Sequence, residues 1–417
     1  MKIGVMSDLH LGSRQYGLHE REEDFYKQYL TAIDTFIDHK VNVVIIAGDI
    51  FDKSRPSPRA IEMFVCGLKK LIDNNIDILN VVGNHAMIQS SEFVTADAML
   101  TNMPGLEKFQ LLDSEHFYYG NHVGIFGLPY YFGHGIEDFK KDVSHLNDMV
   151  EQVRHKDKHN KSNILVLHQE FAEYCGFTGA KLSINDIDIF NFDLIICGHI
   201  HNRVLADINN DTIFLQPGSL ERMNLSEARD EEVSGKGIYI IDTTCMTTEC
   251  IADSFYAIVS PRRFYIADMN MNDSSEIKDI KDEILDGIRG CTIPPVLFLT
   301  VHDKSQSFRE LMDLTKDLRS QFLTVRFKYF DESQTEDMIL DISEGLPTPR
   351  GALKMALNPL EKDEAKLGID LFDALQQSES DISKILEDFR KKKYPEPKES
   401  TISNEEWLRE MEEYFNE

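Results

Sequence analysis

Five short segments of this chain carry side chains suited to divalent cations: Asp8-Leu9-His10, Asp49, Asn84-His85, His168 and His199-Ile200-His201. Carboxylate, carboxamide and imidazole donors without a thiolate favour Mn²⁺, Fe²⁺ or Zn²⁺ at a reactive centre over a cysteine-rich structural zinc site. Asp8 and His10 are two residues apart, as are His199 and His201. In an extended segment that spacing points both side chains to one side. The helical zinc spacing HExxH is absent. In Gly48-Asp49-Ile50-Phe51-Asp52 the glycine lets the backbone turn immediately after an apolar run, and an aspartate there can bridge two cations. Gly83-Asn84-His85 follows the same logic: Asn84 offers a neutral carbonyl oxygen, and His85 stands beside the metals without binding them. Ligands drawn from segments this far apart are what a two-metal hydrolytic centre needs.

Each segment follows an apolar, β-branched run that reads as a buried strand. Ile3–Ser7 leads to Asp8, Val41–Ala47 to Asp49, Ile76–Val82 to Asn84, Ile164–Leu167 to His168, and Leu194–Cys197 to His199. Val123–Leu128, Ile213–Leu215 and Ile238–Ile241 read as further strands, and Pro58–Asp73 has helical apolar spacing. Strands alternating with helices predict an α/β domain of stacked sheets, with functional groups at the C-terminal strand edge. After Ser260-Pro261-Arg262-Arg263 the pattern changes to strand, helix, strand, helix, strand over Phe264–Tyr329. From Asp331 the chain is acidic and proline-broken. It then shows helical apolar spacing at Leu371, Phe372, Leu375, Ile382, Ile385, Leu386 and Phe389, and again from Trp407 to Phe415. Such short amphipathic helices dock either on their own body or on a partner protein.

At 417 residues the chain is long enough for two or three domains. The net charge of −28 argues against a sequence-independent polyanion binder acting alone. Bound divalent cations invert the local field, so a nucleic-acid substrate is compatible if a partner supplies part of the phosphate contact. Arg55, Arg59, Arg203, Arg222, Arg262 and Arg263 are the basic residues to weigh for DNA contact, with Arg55, Arg203 and Arg222 preferred. For each alone, ordinary surface charge is the simpler reading. The six cysteines contain no CxxC pair and read as buried, reduced thiols of a cytoplasmic protein. No signal peptide and no membrane-length apolar run is expected. His19, His39, His116, His122, His134, His145, His155, His159 and His302 are expected to be ordinary core or surface histidines.

The motifs SDLHLG, GDIFD, GNH, LHQ and GHIH, in this order, resemble the calcineurin-like metallophosphoesterases. Arg55-Pro56-Ser57-Pro58, Gly127-Leu128-Pro129-Tyr130 and the run from Gln216 to Arg222 sharpen the resemblance toward the SbcD-type DNA-repair nuclease subunits of phages, bacteria, archaea and eukaryotes. The resemblance implies a two-sheet sandwich flanked by helices, a small α/β cap domain and a helical tail. Its domains would be residues 1–258 (nuclease), 259–330 (cap) and 331–417 (acidic linker and helices that bind an SMC-like ABC ATPase). By position, Asp8, His10, Asp49 and His201 would hold one metal. Asp49, Asn84, His168 and His199 would hold the other, with two Mn²⁺ per chain; Mg²⁺ and Fe²⁺ suit the same donors. His85 would be the proton donor to the leaving oxygen. Asp52 aligns with a variable position and receives no role. The helix Pro58–Asp73 and the segment after Glu92 would form a homodimer bundle, with Met63, Phe64 and Leu68 either its seam or core.

One position departs from the pattern. GNH is followed in the family by Asp or Glu, which orients the histidine and favours its protonated form. Here it is followed by Ala86. The expectation is a metal site that assembles and a turnover that is impaired. Two other readings remain: a phosphatase of the same fold, disfavoured because Lys53-Ser54 follows Asp52 where protein phosphatases have Arg-Gly, and a non-catalytic DNA-end-binding scaffold.

Overall fold

The computed structural model describes residues 1–87, 94–132, 135–175, 182–187, 189, 191–208, 212–223, 227, 235–270, 274–303, 315–331, 338–340, 342–343 and 346–347. The described chain divides into two compact units, Met1–Phe264 with Cys291–Pro294, and Tyr265–Gly290 with the residues from Pro295 onward. The first unit holds two six-stranded sheets. In one, β1 (Lys2–Met6), β2 (Val43–Ile46), β3 (Asp77–Asn80) and β4 (Phe109–Leu111) run parallel. The other contains β5 (Tyr118–Gly120), β6 (Val123–Gly127), β7 (Ser162–His168), β8 (Leu194–Gly198), β9 (Val204–Ile208) and β10 (Thr212–Gln216), with β6, β7, β8 and β10 parallel. Antiparallel β11 (Gly237–Asp242) pairs with β1, and β12 (Phe255–Ala257) closes that edge.

The alternation of side chains along each strand explains the layering. Ile3, Val5, Val43, Ile45 and Leu79 meet Ile164, Val166, Leu194 and Ile196 in one buried cluster between the sheets. Their neighbours Met6, Val44, Ile46 and Ile78 face α1 (His19–Asp38) and α2 (Pro58–Asp73). Leu165, Leu167, Ile195 and Cys197 join Phe139, Val143 and Leu146 of α4 (Ile136–Lys156) on the opposite side. Strands buried on both faces must be apolar at every position, and so they read as continuous runs rather than alternating ones. The α/β sandwich of stacked sheets flanked by helices is as expected, and α2 has the predicted bounds. Ser57 caps α2 by accepting from Ala60 N, with Pro58 at the first helical position.

Helix α1 is not among the helices expected from the sequence: the first half of its buried face mixes Arg21, Glu22, Asp24 and Gln28 with Phe25 and Tyr26, and the apolar set Tyr29, Ala32, Ile33 and Phe36 follows only after them. Arg21 is fully buried and donates to Asp24 at 2.7 Å and Glu221 at 3.2 Å. Arg262 Nε reaches the same Asp24 at 2.7 Å. Hydrophobic periodicity is blind to the part of a face built from ion pairs. In the second unit, β13 (Phe264–Asn270), α6 (Ser274–Gly287), β14 (Val296–Asp303), α7 (Lys316–Arg319) and β15 (Thr324–Asp331) follow the predicted element order. Met269, Leu297, Leu299 and Phe327 form its core. The proposed partner-binding helices beyond residue 347 lie outside the described residues.

Of the two readings of Met63, Phe64 and Leu68, the core reading holds: Phe64 and Leu68 are fully buried against Tyr29, Phe51 and Phe109, and Met63 packs partly buried on the same cluster. One expectation is corrected. Cys245 and Cys250 form a disulfide across the start of α5 (Thr248–Asp253), and Cys66 is exposed, so the thiols are not uniformly buried and reduced. Phe64→Ala is expected to cost about 3–5 kcal/mol of unfolding free energy in a urea titration, without changing the oligomeric mass. A change in mass at unaltered stability would return Phe64 to a subunit seam.

Candidate metal centre

The C-terminal ends of β1, β2, β3, β7 and β8 converge where the two sheets meet, and each delivers a polar side chain. The donor atoms of Asp8, His10 and His201 lie within 4.8 Å of one another, as do those of Asp49, His168 and His199. Asn84 Oδ1 joins the second trio, 3.1 Å from His168 Nε2 and 2.9 Å from His199 Nδ1. His85 lies beside the first: its main-chain N donates to Asp49 Oδ1 at 3.0 Å, and its ring stands edge-on to His10 with centroids 4.8 Å apart. All eight residues expected to form the centre are therefore brought to one place.

Local backbone geometry makes this approach feasible. Gly48 has φ +90°, and a Cβ on it would overlap the His168 ring. A Cβ at Gly83 would strike Asp49. Asp8 (φ 50°), His10 (φ 43°), Asp49 (φ 47°) and His199 (φ 87°) occupy the left-handed region. Non-glycine residues enter it at an energetic cost and are enriched there at functional sites.

Hydrogen bonds to groups outside the cluster orient the rings of His168, His199 and His201. His168 Nδ1 donates to Ala47 O at 2.8 Å, which turns Nε2 inward, 3.2 Å from Asp49 Oδ2. His199 Nε2 meets Glu170 at 3.1 Å, and His201 Nδ1 meets Glu227 at 2.9 Å. Asp8 accepts from the Ser7 hydroxyl and from His199 N. Glu170, Glu227 and Ser7 were not singled out in the sequence. Ser7 and Glu170 adjoin ligand motifs, whereas Glu227 carried no signal.

The residues fit a cation. His10 is buried, its Nδ1 has no hydrogen-bond partner, and its Nε2 faces His201 Nε2 at 3.1 Å. Two nitrogens bonded to one metal at about 2.1 Å lie roughly 3.0 Å apart at an angle of about 90° and roughly 3.4 Å apart at a tetrahedral one. Burial, then the neighbouring His201 charge, pushes His10 down to about 3, which keeps its lone pairs available. Burial also pushes His168 down, but the Asp49 carboxylate outweighs it and holds the ring at about 9. In return His168 outweighs burial at Asp49 and keeps that carboxyl well below the usual range. A proton on His168 thus occupies the place a cation would take.

The arginines divide. Arg55 is exposed. Arg203 is half-buried and stacks over Phe255 at 3.6 Å, with Nη1 donating to Tyr239 at 3.3 Å. Arg222 is 5 % exposed, sits over Phe264 and donates to Arg262 O at 3.1 Å, so its expected DNA contact is replaced by a structural role. Arg262 is likewise buried and paired with Asp24, which removes it from the same set.

The expectation for Ala86 is corrected in part. His85 Nδ1 donates to the main-chain oxygen of Asp52 at 2.6 Å, so the ring keeps an orienting partner without an acid at position 86. Only the charge of that acid is missing.

A calcineurin-like phosphoesterase family model matches residues 1–203. That segment spans all eight convergent residues. Residues 1–203 are a calcineurin-like metallophosphoesterase domain. The chain is accordingly a metal-dependent phosphodiesterase, of a fold that carries a dinuclear metal site. It is 29% identical to the DNA double-strand break repair protein Mre11 of Methanococcus maripaludis, over 82% of this chain and 88% of that one. The protein of the same name from Saccharolobus solfataricus is 27% identical over 91% and 96%. That from Methanocaldococcus jannaschii is 28% identical over 75% and 79%. Among the described residues no helix is long and apolar enough to cross a membrane.

His168 must lose its proton before Nε2 can coordinate. Below about 9 the metal-free ring carries that proton. Metal uptake is therefore expected to release a proton and to weaken as pH falls, by up to about 10-fold per pH unit. Calorimetric titration in buffers of different ionisation enthalpy measures both, and uptake without proton release would overturn the assignment.

Proposed function

We propose that this chain is the nuclease subunit of a DNA repair or recombination complex, cleaving phosphodiester bonds at DNA ends with two Mn²⁺ ions. The observation that carries the reading is the convergence of two donor trios with Asn84 and His85 at one sheet edge. Asp8, His10, Asp49 and His201 would hold one ion, and Asp49, Asn84, His168 and His199 the other. Ions held there would supply charge neutralisation of the anionic diester and activation of a water for in-line attack. The similarity to Mre11 proteins over most of both chains favours DNA as the substrate.

His85 supplies the proton that the leaving oxygen needs. With Nδ1 committed to Asp52 O, Nε2 is the nitrogen left to serve the substrate. Ala86 offers no carboxylate to favour the protonated ring, so proton donation is the step it weakens. The SbcD-type resemblance further suggests a homodimer and an SMC-like ABC ATPase partner bound through residues 331–417. The ATPase would also contribute positive charge that a chain of net charge −28 lacks.

Ala86→Asp is expected to raise Mn²⁺-dependent cleavage of linear duplex DNA by about 10-fold, less than the roughly 10²–10⁴-fold of general acid–base catalysis as a whole because the ring is already oriented. Bis-p-nitrophenyl phosphate should respond in parallel, and a p-nitrophenyl monoester should remain a poor substrate. Preference for the monoester would favour a phosphatase. DNA binding without cleavage, even after the substitution, would favour a scaffold.

A further inference from the structure

Resting on the reading of His201 as a metal ligand, we infer that Glu227, clamped by Lys236 and Ser219, is a positioning residue that fixes His201 for one of the two ions. Glu227 lies 26 residues after His201 in sequence and is 3 % exposed. Its two oxygens divide the work. Oε1 takes the proton of His201 Nδ1 at 2.9 Å, and Oε2 accepts from Lys236 Nζ at 2.7 Å and from Met223 N at 3.2 Å.

Lys236 is 5 % exposed, and the three N–H bonds of its ammonium match three acceptors. These are Glu227 Oε2 at 2.7 Å, Ser219 Oγ at 2.8 Å and the main-chain oxygen of His201 at 3.0 Å. Ser219 Oγ donates to Glu221 O at 2.8 Å and lies within hydrogen-bond distance of Glu227 Oε2, at 3.2 Å. One buried ammonium therefore holds both the backbone of His201 and the carboxylate that orients its ring. Glu227 sits on the Nδ1 side of the imidazole, while Nε2 faces His10. It acts through the ring rather than at the ion, and a carboxylate behind a ligating imidazole fixes the tautomer and raises the basicity of the ligating nitrogen.

Glu170 holds the equivalent place behind His199, but its side chain is 30 % exposed and the described contacts give it no such clamp. The two halves of the centre thus differ in how firmly they are held, and a defect at Glu227 should be confined to one ion.

The test is Mn²⁺ titration of the full-length protein, with free Mn²⁺ read by electron paramagnetic resonance and folding checked by circular dichroism. Wild type should take up two ions. E227A should weaken one of the two by about 10–100-fold and leave the other unchanged. E227Q, whose amide oxygen still accepts the Nδ1 proton, should recover most of the loss. Lys236→Met keeps Glu227 but releases the clamp, and should weaken the same ion by a smaller factor. This variant decides the matter if E227A does not fold. Two unchanged sites, or two equally weakened ones, would overturn the inference. Wild type taking up no Mn²⁺ would sink the two-ion reading itself, a distinct failure.

Discussion

The organisation of this molecule depends on crowding polar donors into a seam where their natural partners are excluded. Asp8, Asp49, His10 and His168 are all almost completely buried, and several of their ligating atoms point at one another, His10 Nε2 at His201 Nε2 and His168 Nε2 at Asp49 Oδ2. Burying such groups costs several kcal/mol each unless compensated. His168 and Asp49 settle the conflict by sharing charge, while His10 Nδ1 has no hydrogen-bond partner and only the Asp52 carboxylate at 3.9 Å. A site that is internally frustrated in this way is relieved by divalent cations, and the rest of the unit serves to keep it in that condition.

Two features do so. Glycines at strand ends remove the Cβ atoms that would hold the loops apart, and left-handed backbone at Asp8, His10, Asp49 and His199 aims side chains that ordinary extended chain would send elsewhere. Behind them, Ala47 O, Glu170, Glu227 and Asp52 O each occupy the outward nitrogen of one imidazole. The inner nitrogen is then committed to the seam. The strain is sustained by the apolar layer between the sheets and by the buried ion pairs of Arg21, Asp24, Glu221 and Arg262.

Ala86 shows how a motif can be broken without breaking the geometry. The residue is buried in the turn after His85, where it makes no demand on the metal ligands. Orientation of the histidine falls to a main-chain carbonyl, which no substitution of a side chain removes directly. Charge, by contrast, can come only from a side chain, and that part of the family pattern is absent.

The primary structure by itself determined which donors are present, that each follows a buried strand, and that α2 and the core strands form where they do. These are local matters of residue type, spacing and period, and the eight residues of the centre were legible on those grounds. The tertiary structure alone decided what lies behind and around them. Glu227 and Lys236 lie 26 and 35 residues after His201 with no motif of their own. Arg262 turns inward to Asp24 of α1, and Arg222 to the Phe264 ring and the main-chain oxygen of Arg262. Phe64 and Leu68 face core because Tyr29 and the apolar residues of α1 pack on the same cluster. Hydrogen bonds and ion pairs between distant segments leave no periodic trace in a chain, so only the folded molecule reveals them.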